Sequence, residues 1–333
     1  MLKGHQSWAF NSRPAILSCG TVGGPFEAQG PLAEDFDILH DDMWLSQDSF
    51  EKAEKKMLEE ACEKALEKAG QKAGDVNFHL SGDLMNQIIS SSFTARTLGI
   101  PYLGLFGACS TAMESLALGA QLVDSGAARM VLASTSSHNG SAEKQFRYPT
   151  EYGAQKPPTA QWTVTGAGAA LLGPGEEGPR VTSATLGRVV DMGLSDPFNM
   201  GAAMAPAAVD TLKAHVRDLE ADLFSYDLIA TGDLGRVGYE IAKDLIKEEN
   251  LPFPEERFMD CGLLIYDKTQ PVHAGASGCA CSAVVTFGHL INRMKRGELK
   301  KILAVATGAL LSPLSYQQKE SIPCIAYAVS IEM

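Results

Sequence analysis

Hydrophobic and polar positions along the chain fall into blocks that predict amphipathic helices, each followed by a short apolar strand. Residues 51–69 carry apolar side chains at helical spacing, and residues 76–80 follow as a strand. The same order recurs at 207–220 and 226–230. Helices that alternate with short apolar strands are typical of mostly parallel sheets covered by helices. We therefore predict an α/β fold.

Two short sequence matches indicate that this unit occurs twice. Ser81-Gly82-Asp83-Leu84 recurs as Thr231-Gly232-Asp233-Leu234, after a helix and a strand in both places. Ala108-Cys109-Ser110 recurs as Ala280-Cys281-Ser282, and both tripeptides stand where a helix is predicted to begin. Matches in equivalent contexts point to an internal duplication of about half the chain.

Local signals predict the bounds of several elements. Asp48 and Glu51 are three residues apart and predict a capping box for the first long helix, while Gly70 predicts its end. Residues 102–108 predict a buried strand. The stretch 145–161 is rich in Pro, Tyr, Gly and Lys and predicts a long loop. A loop of this length in a compact domain usually has a function.

Composition and charge exclude several classes of function. The 333 residues include 28 Lys and Arg against 40 Asp and Glu, a formal net charge of −12. This charge argues against nucleic-acid binding and against a polybasic membrane contact, so any anionic ligand must be held by a local cluster. No apolar run reaches the roughly 20 residues of a membrane helix, and the first residues lack the core of a signal peptide. Together with seven scattered cysteines, these features predict a soluble intracellular protein.

Cys109 is the strongest candidate for a reactive residue. It stands between an apolar segment and a predicted helix, where a helix N-terminus lowers the pKa of a thiol. A thiolate at this position is a nucleophile for covalent catalysis. The alternative is a small buried thiol that only packs.

The sequence offers little support for a metal site. Cys279 and Cys281 are too closely spaced for zinc and predict core packing instead. The acidic residues between Glu34 and Asp42 lack the spacing of a calcium loop and predict a solvated face. We expect no metal and no cofactor.

Two further groups could contact a ligand. His273 precedes a loop of small residues and is a general base, a ligand contact or a structural residue. Lys144 and Arg147 give the predicted long loop a local positive charge that suits a planar anion, and the alternative is a solvated loop.

The same residues resemble motifs of the thiolase superfamily. Gly107-Ala-Cys109-Ser-Thr-Ala-Met-Glu is similar to the nucleophile elbow of its ketoacyl synthase branch, and Thr165-Gly-Ala-Gly-Ala-Ala-Leu-Leu-Gly173 to a glycine-rich strand of those enzymes. His273-Ala-Gly-Ala-Ser-Gly278 is similar to the histidine loop of thiolases but one residue shorter, and Thr307-Gly308-Ala309 to their C-terminal turn.

This resemblance implies the fold and the assembly. The superfamily has five layers, αβαβα, built from two duplicated halves that each carry a mixed, mainly parallel sheet. Here the N-terminal half would be 1–175, with the Cys109 elbow, and the C-terminal half 176–333. The resemblance also implies a homodimer joined through the sheet edge of the N-terminal half.

Longer strings along nearly the whole chain resemble one family, stage V sporulation protein AD of endospore-forming bacteria. They are Gly30-Pro-Leu-Ala-Glu-Asp-Phe-Asp37, Asp41-Asp-Met-Trp-Leu-Ser46, Ser81-Gly-Asp-Leu-Met-Asn-Gln87, Thr135-Ser-Ser-His-Asn139, Glu143-Lys-Gln-Phe-Arg-Tyr-Pro149 and Gln155-Lys-Pro-Pro-Thr-Ala-Gln-Trp-Thr163. This resemblance implies binding of dipicolinic acid, with or without calcium, and a part in its uptake into the developing spore. It also implies a peripheral place at the spore inner membrane, through membrane proteins of the same sporulation system.

The chain departs from the catalytic pattern of the superfamily. Ketoacyl synthases place a histidine after the first strand of the second half, where this chain reads Ala230-Thr-Gly-Asp-Leu-Gly235. Their asparagine in the next loop is not evident, and the second cysteine of thiolases is replaced by Thr307. Condensing enzymes need such groups to move protons and to stabilise an oxyanion. These departures suit a pocket retained for binding after catalysis was lost.

Two functions therefore remain open. The first is non-catalytic binding of dipicolinate, with the N–H groups at a helix start as anion donors. Its expected ligand contacts are Cys109, Ser110, Thr111, His138, Arg147 and His273. The second is an acyltransferase of the ketoacyl synthase type, in which Cys109 carries the acyl group and His273 is the base. A purely structural subunit of a membrane assembly is a third alternative.

Overall fold

The computed structural model describes residues 1–147 and 156–333, and the side chains of all of these except Arg147. In chain order its strands are β1 (Leu2–Lys3), β2 (Ser7–Ala9), β3 (Ala15–Gly23), β4 (Ile38–Leu39), β5 (Phe78–Gly82), β6 (Tyr102–Gly104), β7 (Val131–Ser137), β8 (Trp162–Thr163), β9 (Gly166–Gly173), β10 (Arg180–Leu186), β11 (Leu228–Thr231), β12 (Phe258–Asp260), β13 (Ala276–Ser277), β14 (Lys301–Ala309) and β15 (Cys324–Glu332). Its α-helices are α1 (Phe50–Lys68), α2 (Ile89–Leu98), α3 (Thr111–Asp124), α4 (Asn139–Arg147), α5 (Met200–Leu219), α6 (Gly235–Glu248), α7 (Cys279–Val284), α8 (Ile291–Lys295) and α9 (Pro313–Gln317). A π-helical stretch, Val285–Leu290, joins α7 to α8.

Two sets of five strands have the same internal order. The N-terminal set is ordered β6-β5-β7-β9-β3 and the C-terminal set β12-β11-β14-β15-β10. β5 and β11 are each parallel to both neighbours, whereas β9 and β15 are antiparallel to theirs. The sets are joined where Ala15 of β3 pairs with Arg180 of β10. The two repeated motifs of the sequence lie at equivalent points of this arrangement, where β5 and β11 end and where α3 and α7 begin.

Alternating burial along the strands divides the apolar core into three parts. In β7, Leu132 belongs to the cluster formed with α1, and its neighbour Val131 belongs to the central cluster. In β14, Leu303 packs with α5 and α6, and Ile302 packs in the central cluster. The central cluster contains α3 and the helix at 279–295. Helix, sheet, helix pair, sheet and helix thus follow one another, and the predicted five-layered α/β fold is confirmed.

The first long helix begins one residue later than the predicted capping box requires. Ser49 is the N-cap of α1, and its Oγ accepts a hydrogen bond from the backbone N of Lys52 at 3.2 Å. The predicted box of Asp48 and Glu51 is therefore wrong, because Asp48 precedes the cap and pairs with the Lys52 ammonium at 2.7 Å. Gly70 ends the helix as predicted, with a φ of 63°.

Residues 102–108 do not form a buried strand. Only Tyr102–Gly104 is a strand, and Leu103 is 46% exposed because β6 is the last strand of its sheet. The loop predicted at 145–161 is helical as far as Arg147, and 148–155 lie outside the described residues. Among the described residues, no helix combines the length and hydrophobicity that crossing a bilayer requires.

Candidate functional site

A strained turn presents Cys109 at the start of α3. The turn is a 3₁₀ helix, Ala108–Ser110, and Ala108 adopts a φ of 49°, which is uncommon for a residue with a Cβ. Thr111 holds the turn, because its Oγ1 donates to the Ala108 carbonyl at 2.7 Å and accepts from the Gly107 N–H at 3.1 Å. The elbow expected from the sequence is therefore present, and local hydrogen bonds fix it.

The carboxyl of Asp233, just after β11, lies against the Cys109 thiol. Burial, together with this carboxyl, raises the pKa of Cys109 well above its usual range. Asp233 is itself fully buried and accepts a hydrogen bond from Thr307 Oγ1 at 2.6 Å, and burial raises its pKa to about 7. The sequence-based expectation that the helix start lowers the pKa of Cys109 is therefore wrong, because lost hydration and the carboxyl outweigh the helix N-terminus.

Asp233 is a site residue that the sequence analysis did not identify. It lies in the segment where the resemblance to ketoacyl synthases implied a histidine, and it belongs to the repeated tetrapeptide 231–234, which was the available signal. Its counterpart in the other half, Asp83, has a different role. The Asp83 carboxylate accepts hydrogen bonds from the backbone N–H groups of Met85 at 2.9 Å and Ser91 at 2.7 Å, which fix the chain after β5.

Cys109 lines a narrow cavity of about 80 Å³. We call it the Cys109 cavity. Its walls are largely apolar, with Phe106 and Phe198 among them, and the hydroxyl-bearing residues Thr163 and Ser277 also line it. Among the described residues, no Lys, Arg or His side chain lines it, and its one carboxylate, Glu143, pairs with Lys156 at 2.6 Å. The described walls therefore suit a ligand that is uncharged or whose charge is neutralised.

The two N–H groups proposed as anion donors are already engaged within the elbow. The N–H of Ser110 donates to the Gly107 carbonyl at 3.1 Å, and the N–H of Thr111 donates to the Ala108 carbonyl. Both residues are fully buried and neither lines the Cys109 cavity. The elbow thus uses these donors to hold its own shape.

His138 is held by neighbours away from the Cys109 cavity. Its Nδ1 accepts from the Gly140 N–H at 3.0 Å, so its Nε2 donates to the Met43 carbonyl at 2.9 Å. The ring also stacks on Phe50, with centroids 5.0 Å apart, and burial lowers the pKa of His138. Both nitrogens of this neutral imidazole are in use.

His273 and Arg147 are not seen beside Cys109. His273 has a φ of 55°, is exposed, and lines a second cavity, which has no described lining residue in common with the Cys109 cavity. Arg147 is the last residue of α4, and its side chain lies outside the described residues. The structure thus does not bring together the pair of Cys109 and His273 that the acyltransferase alternative requires.

The remaining cysteine pair packs in the core, as predicted. Cys279 Sγ donates to the Ala108 carbonyl at 2.9 Å, and Cys281 Sγ donates to the Gly232 carbonyl at 3.2 Å. Both residues are fully buried. In the part of the chain that the structure describes, no group of His, Cys, Asp and Glu side chains could hold a metal ion.

Comparison with known proteins identifies relatives of this chain. The family model for stage V sporulation protein AD (SpoVAD) matches residues 4–332. The chain is 51% identical to the stage V sporulation protein AD of Bacillus subtilis (strain 168), over 99% of this chain and 98% of that protein.

Solved structures of two other proteins share the fold. The 3-oxoacyl-[acyl-carrier-protein] synthase III from Aquifex aeolicus VF5 is 14% identical with a TM-score of 0.58, over 96% of this chain and 100% of that chain. Cerulenin-bound OleA of Xanthomonas campestris is 13% identical with a TM-score of 0.62, over all of both chains. At such low identity these likenesses show the fold alone.

Proposed function

We infer the function of this chain from one premise: it belongs to the stage V sporulation protein AD family. We propose that it is a non-catalytic thiolase-fold protein that binds dipicolinic acid, with or without calcium, and supports its uptake into the developing spore. In this proposal, membrane proteins of the same sporulation system hold it at the spore inner membrane.

The observation that carries the non-catalytic part is the contact of Cys109 with a buried carboxyl. Acyl transfer to a cysteine needs a thiolate and a group that accepts its proton. Asp233 disfavours the thiolate, and the imidazole of His273 lies in another cavity. Among the described residues, the Cys109 cavity therefore offers no imidazole to activate its cysteine, but it keeps a space into which a small ligand can fit.

The described walls of this cavity favour a planar aromatic ligand whose charge is neutralised. Phe106 and Phe198 offer apolar faces to a ring, and the hydroxyl groups of Thr163 and Ser277 can donate to carboxylate oxygens. Because no cation lines the described cavity, calcium bound to the carboxylates of dipicolinate would lower the cost of burying them. We therefore expect tighter binding with calcium than without it.

Calorimetric titration of the full chain with dipicolinate, with and without calcium, tests the proposal. We expect saturable binding near one site per chain. Leu311→Trp should weaken it at least about tenfold, because Leu311 lines the cavity and is 7% exposed. Leu314→Trp is the matched control, since Leu314 is 63% exposed and lies outside the cavity. Thermal unfolding of both variants verifies that they fold.

Three outcomes would each overturn one part of the proposal. Absence of binding with and without calcium would overturn dipicolinate binding and leave a structural subunit. An acyl adduct on Cys109 in the intact mass, after incubation with acyl-coenzyme A, would overturn the non-catalytic part. Sedimentation of the chain with spore inner membranes that lack the partner membrane proteins would overturn its indirect attachment.

A further inference from the structure

A second cavity, of about 700 Å³, opens on the C-terminal half between the start of α6 and the loop 262–275. We call it the Arg236 cleft. Arg236, Lys268 and His273 line it together, although Arg236 is separated from the other two by more than 30 residues in sequence. The described linings of this cleft and of the Cys109 cavity have no residue in common.

The described residues that line this cleft include two cations, Arg236 and Lys268, and one carboxylate, Asp267, so the cleft has a net positive charge. Neither Arg236 nor Lys268 forms an ion pair with a described residue, and the imidazole of His273 has no hydrogen-bond partner among them. Asp267, the one carboxylate among the described lining residues, accepts from the N–H and Oγ1 of Thr269, at 2.9 and 2.8 Å. These hydrogen bonds, and then the charge of Lys268, lower the pKa of Asp267. A locally positive cavity is notable in a chain of net charge −12.

The backbone of the cleft is built around this cluster. The Arg236 guanidinium donates to the His273 carbonyl at 3.1 Å, and the Arg236 N–H donates to the Ala274 carbonyl at 2.7 Å. The Ala274 N–H in turn donates to the Ala160 carbonyl at 2.9 Å. These bonds hold His273 in the left-handed region, and a strained conformation fixed in this way is a recurrent feature of ligand sites.

We propose that the Arg236 cleft binds a small organic molecule with two oxyanion groups, carboxylates or phosphates, at a site separate from the Cys109 cavity. A guanidinium donates two parallel hydrogen bonds to one such group, and an ammonium supplies a point charge for the other. The apolar side chains of Leu263 and Val272 also line the cleft and contact the organic part of the ligand. The inference does not depend on dipicolinate binding.

The test uses two probes, isophthalate for a dicarboxylate and fructose 1,6-bisphosphate for a diphosphate, titrated into the full chain at physiological salt. The double variant Arg236→Gln/Lys268→Gln should weaken binding at least about tenfold. The matched control, Arg129→Gln/Lys72→Gln, removes the same charge from two exposed positions outside the cleft and should bind as the wild type does. The ring-proton NMR resonances of His273, assigned by comparison with His273→Gln, should shift as the probe is added. These shifts should saturate at the same probe concentration as the binding does.

The outcomes separate the two sites and the two ligand classes. Binding of one probe alone assigns the oxyanion, and unchanged binding in Leu311→Trp keeps the site apart from the Cys109 cavity. Absence of saturable binding by both probes overturns the inference. So does equal weakening in both double variants, or loss of binding in Leu311→Trp.

Discussion

At the scale of single residues, Cys109 illustrates how burial can reverse an expected ionisation. A helix start favours a thiolate by a fraction of a charge at its N-terminus. Cys109 has lost its hydration and faces the carboxyl of Asp233, and both effects favour the neutral thiol. Burial, and then the carboxyl after β11, therefore hold Cys109 as a neutral thiol within the geometry of an elbow.

Replacing this carboxyl should activate the thiol. In Asp233→Asn, loss of the negative charge lowers the pKa of Cys109, and alkylation by iodoacetamide at pH 8 should be at least about tenfold faster than in the wild type. Peptide mass spectrometry of the native protein measures the rate at Cys109. Asp210→Asn, at the surface, is the control and should leave the rate unchanged. Equal rates in Asp233→Asn and the wild type would mean that Asp233 does not control the thiol.

A second buried carboxyl makes stability depend on pH. Burial, and then the neighbouring Asp83, raise the pKa of Glu54 to about 8, and its oxygens accept from Ser136 Oγ at 3.1 Å and Ser141 Oγ at 2.7 Å. Because the folded protein holds this proton to higher pH than the unfolded chain, stability is full below the ordinary pKa of a glutamate. It is then lost as pH rises through about 8.

We therefore expect the midpoint temperature of thermal unfolding to decrease as the pH is raised from 5.5 to 8.5. One carboxyl contributes at most about 1.4 kcal/mol per pH unit. Glu54→Gln keeps the hydrogen-bonding shape without the titration, so its midpoint should depend less on pH over this range. Glu34→Gln, at an exposed position, should follow the wild type. Parallel curves for all three proteins would show that Glu54 does not titrate in this range.

At the scale of secondary-structure elements, the sequence predicted what depends on local pattern. The helix α1, the strands β5 and β11 and the elbow at Cys109 follow from apolar spacing and turn residues, which report burial nearby in the chain. The exposure of β6 and the separation of His273 from Cys109 did not follow. They depend on which strand ends a sheet and on how a loop folds against residues over 100 positions away.

One such distant contact holds the elbow against β14. A Cβ placed on Gly308 would lie 2.1 Å from the Gly107 carbonyl oxygen, and this backbone atom cannot move without disturbing the turn that carries Cys109. Gly308→Ala should lower the free energy of unfolding by about 2 kcal/mol or more, measured by urea denaturation. Gly74→Ala is the control, because its Cβ meets nothing within 4 Å, and it should stay within about 0.5 kcal/mol of the wild type. If Gly308→Ala left the free energy of unfolding unchanged, β14 and the elbow would have to separate easily.

At the scale of the whole molecule, the two ends of the strand order differ in exposure. β12, at one end, is nearly covered, with Phe258 and Asp260 buried. Among the described strands, β6 at the other end pairs with β5 alone, and its Leu103 is exposed. The helix α2 packs beside it and adds Ile89 and Phe93, which are 40% and 41% exposed. An unpaired strand edge with apolar neighbours favours association with another chain, and natural proteins cover such edges.

We propose that a second copy of the chain covers this edge, as the expected homodimer requires. Antiparallel pairing of two β6 strands across a twofold axis would bury the same patch on both copies. Light scattering during gel filtration should give a dimer for the wild type. It should give a monomer for Leu103→Arg, because two added charges would face each other at the axis. Phe224→Arg should remain a dimer, because Phe224 is 49% exposed and lies just before β11, near the opposite end of the strand order. A dimeric Leu103→Arg would place the contact elsewhere, and a monomeric wild type would leave the exposed edge without this partner.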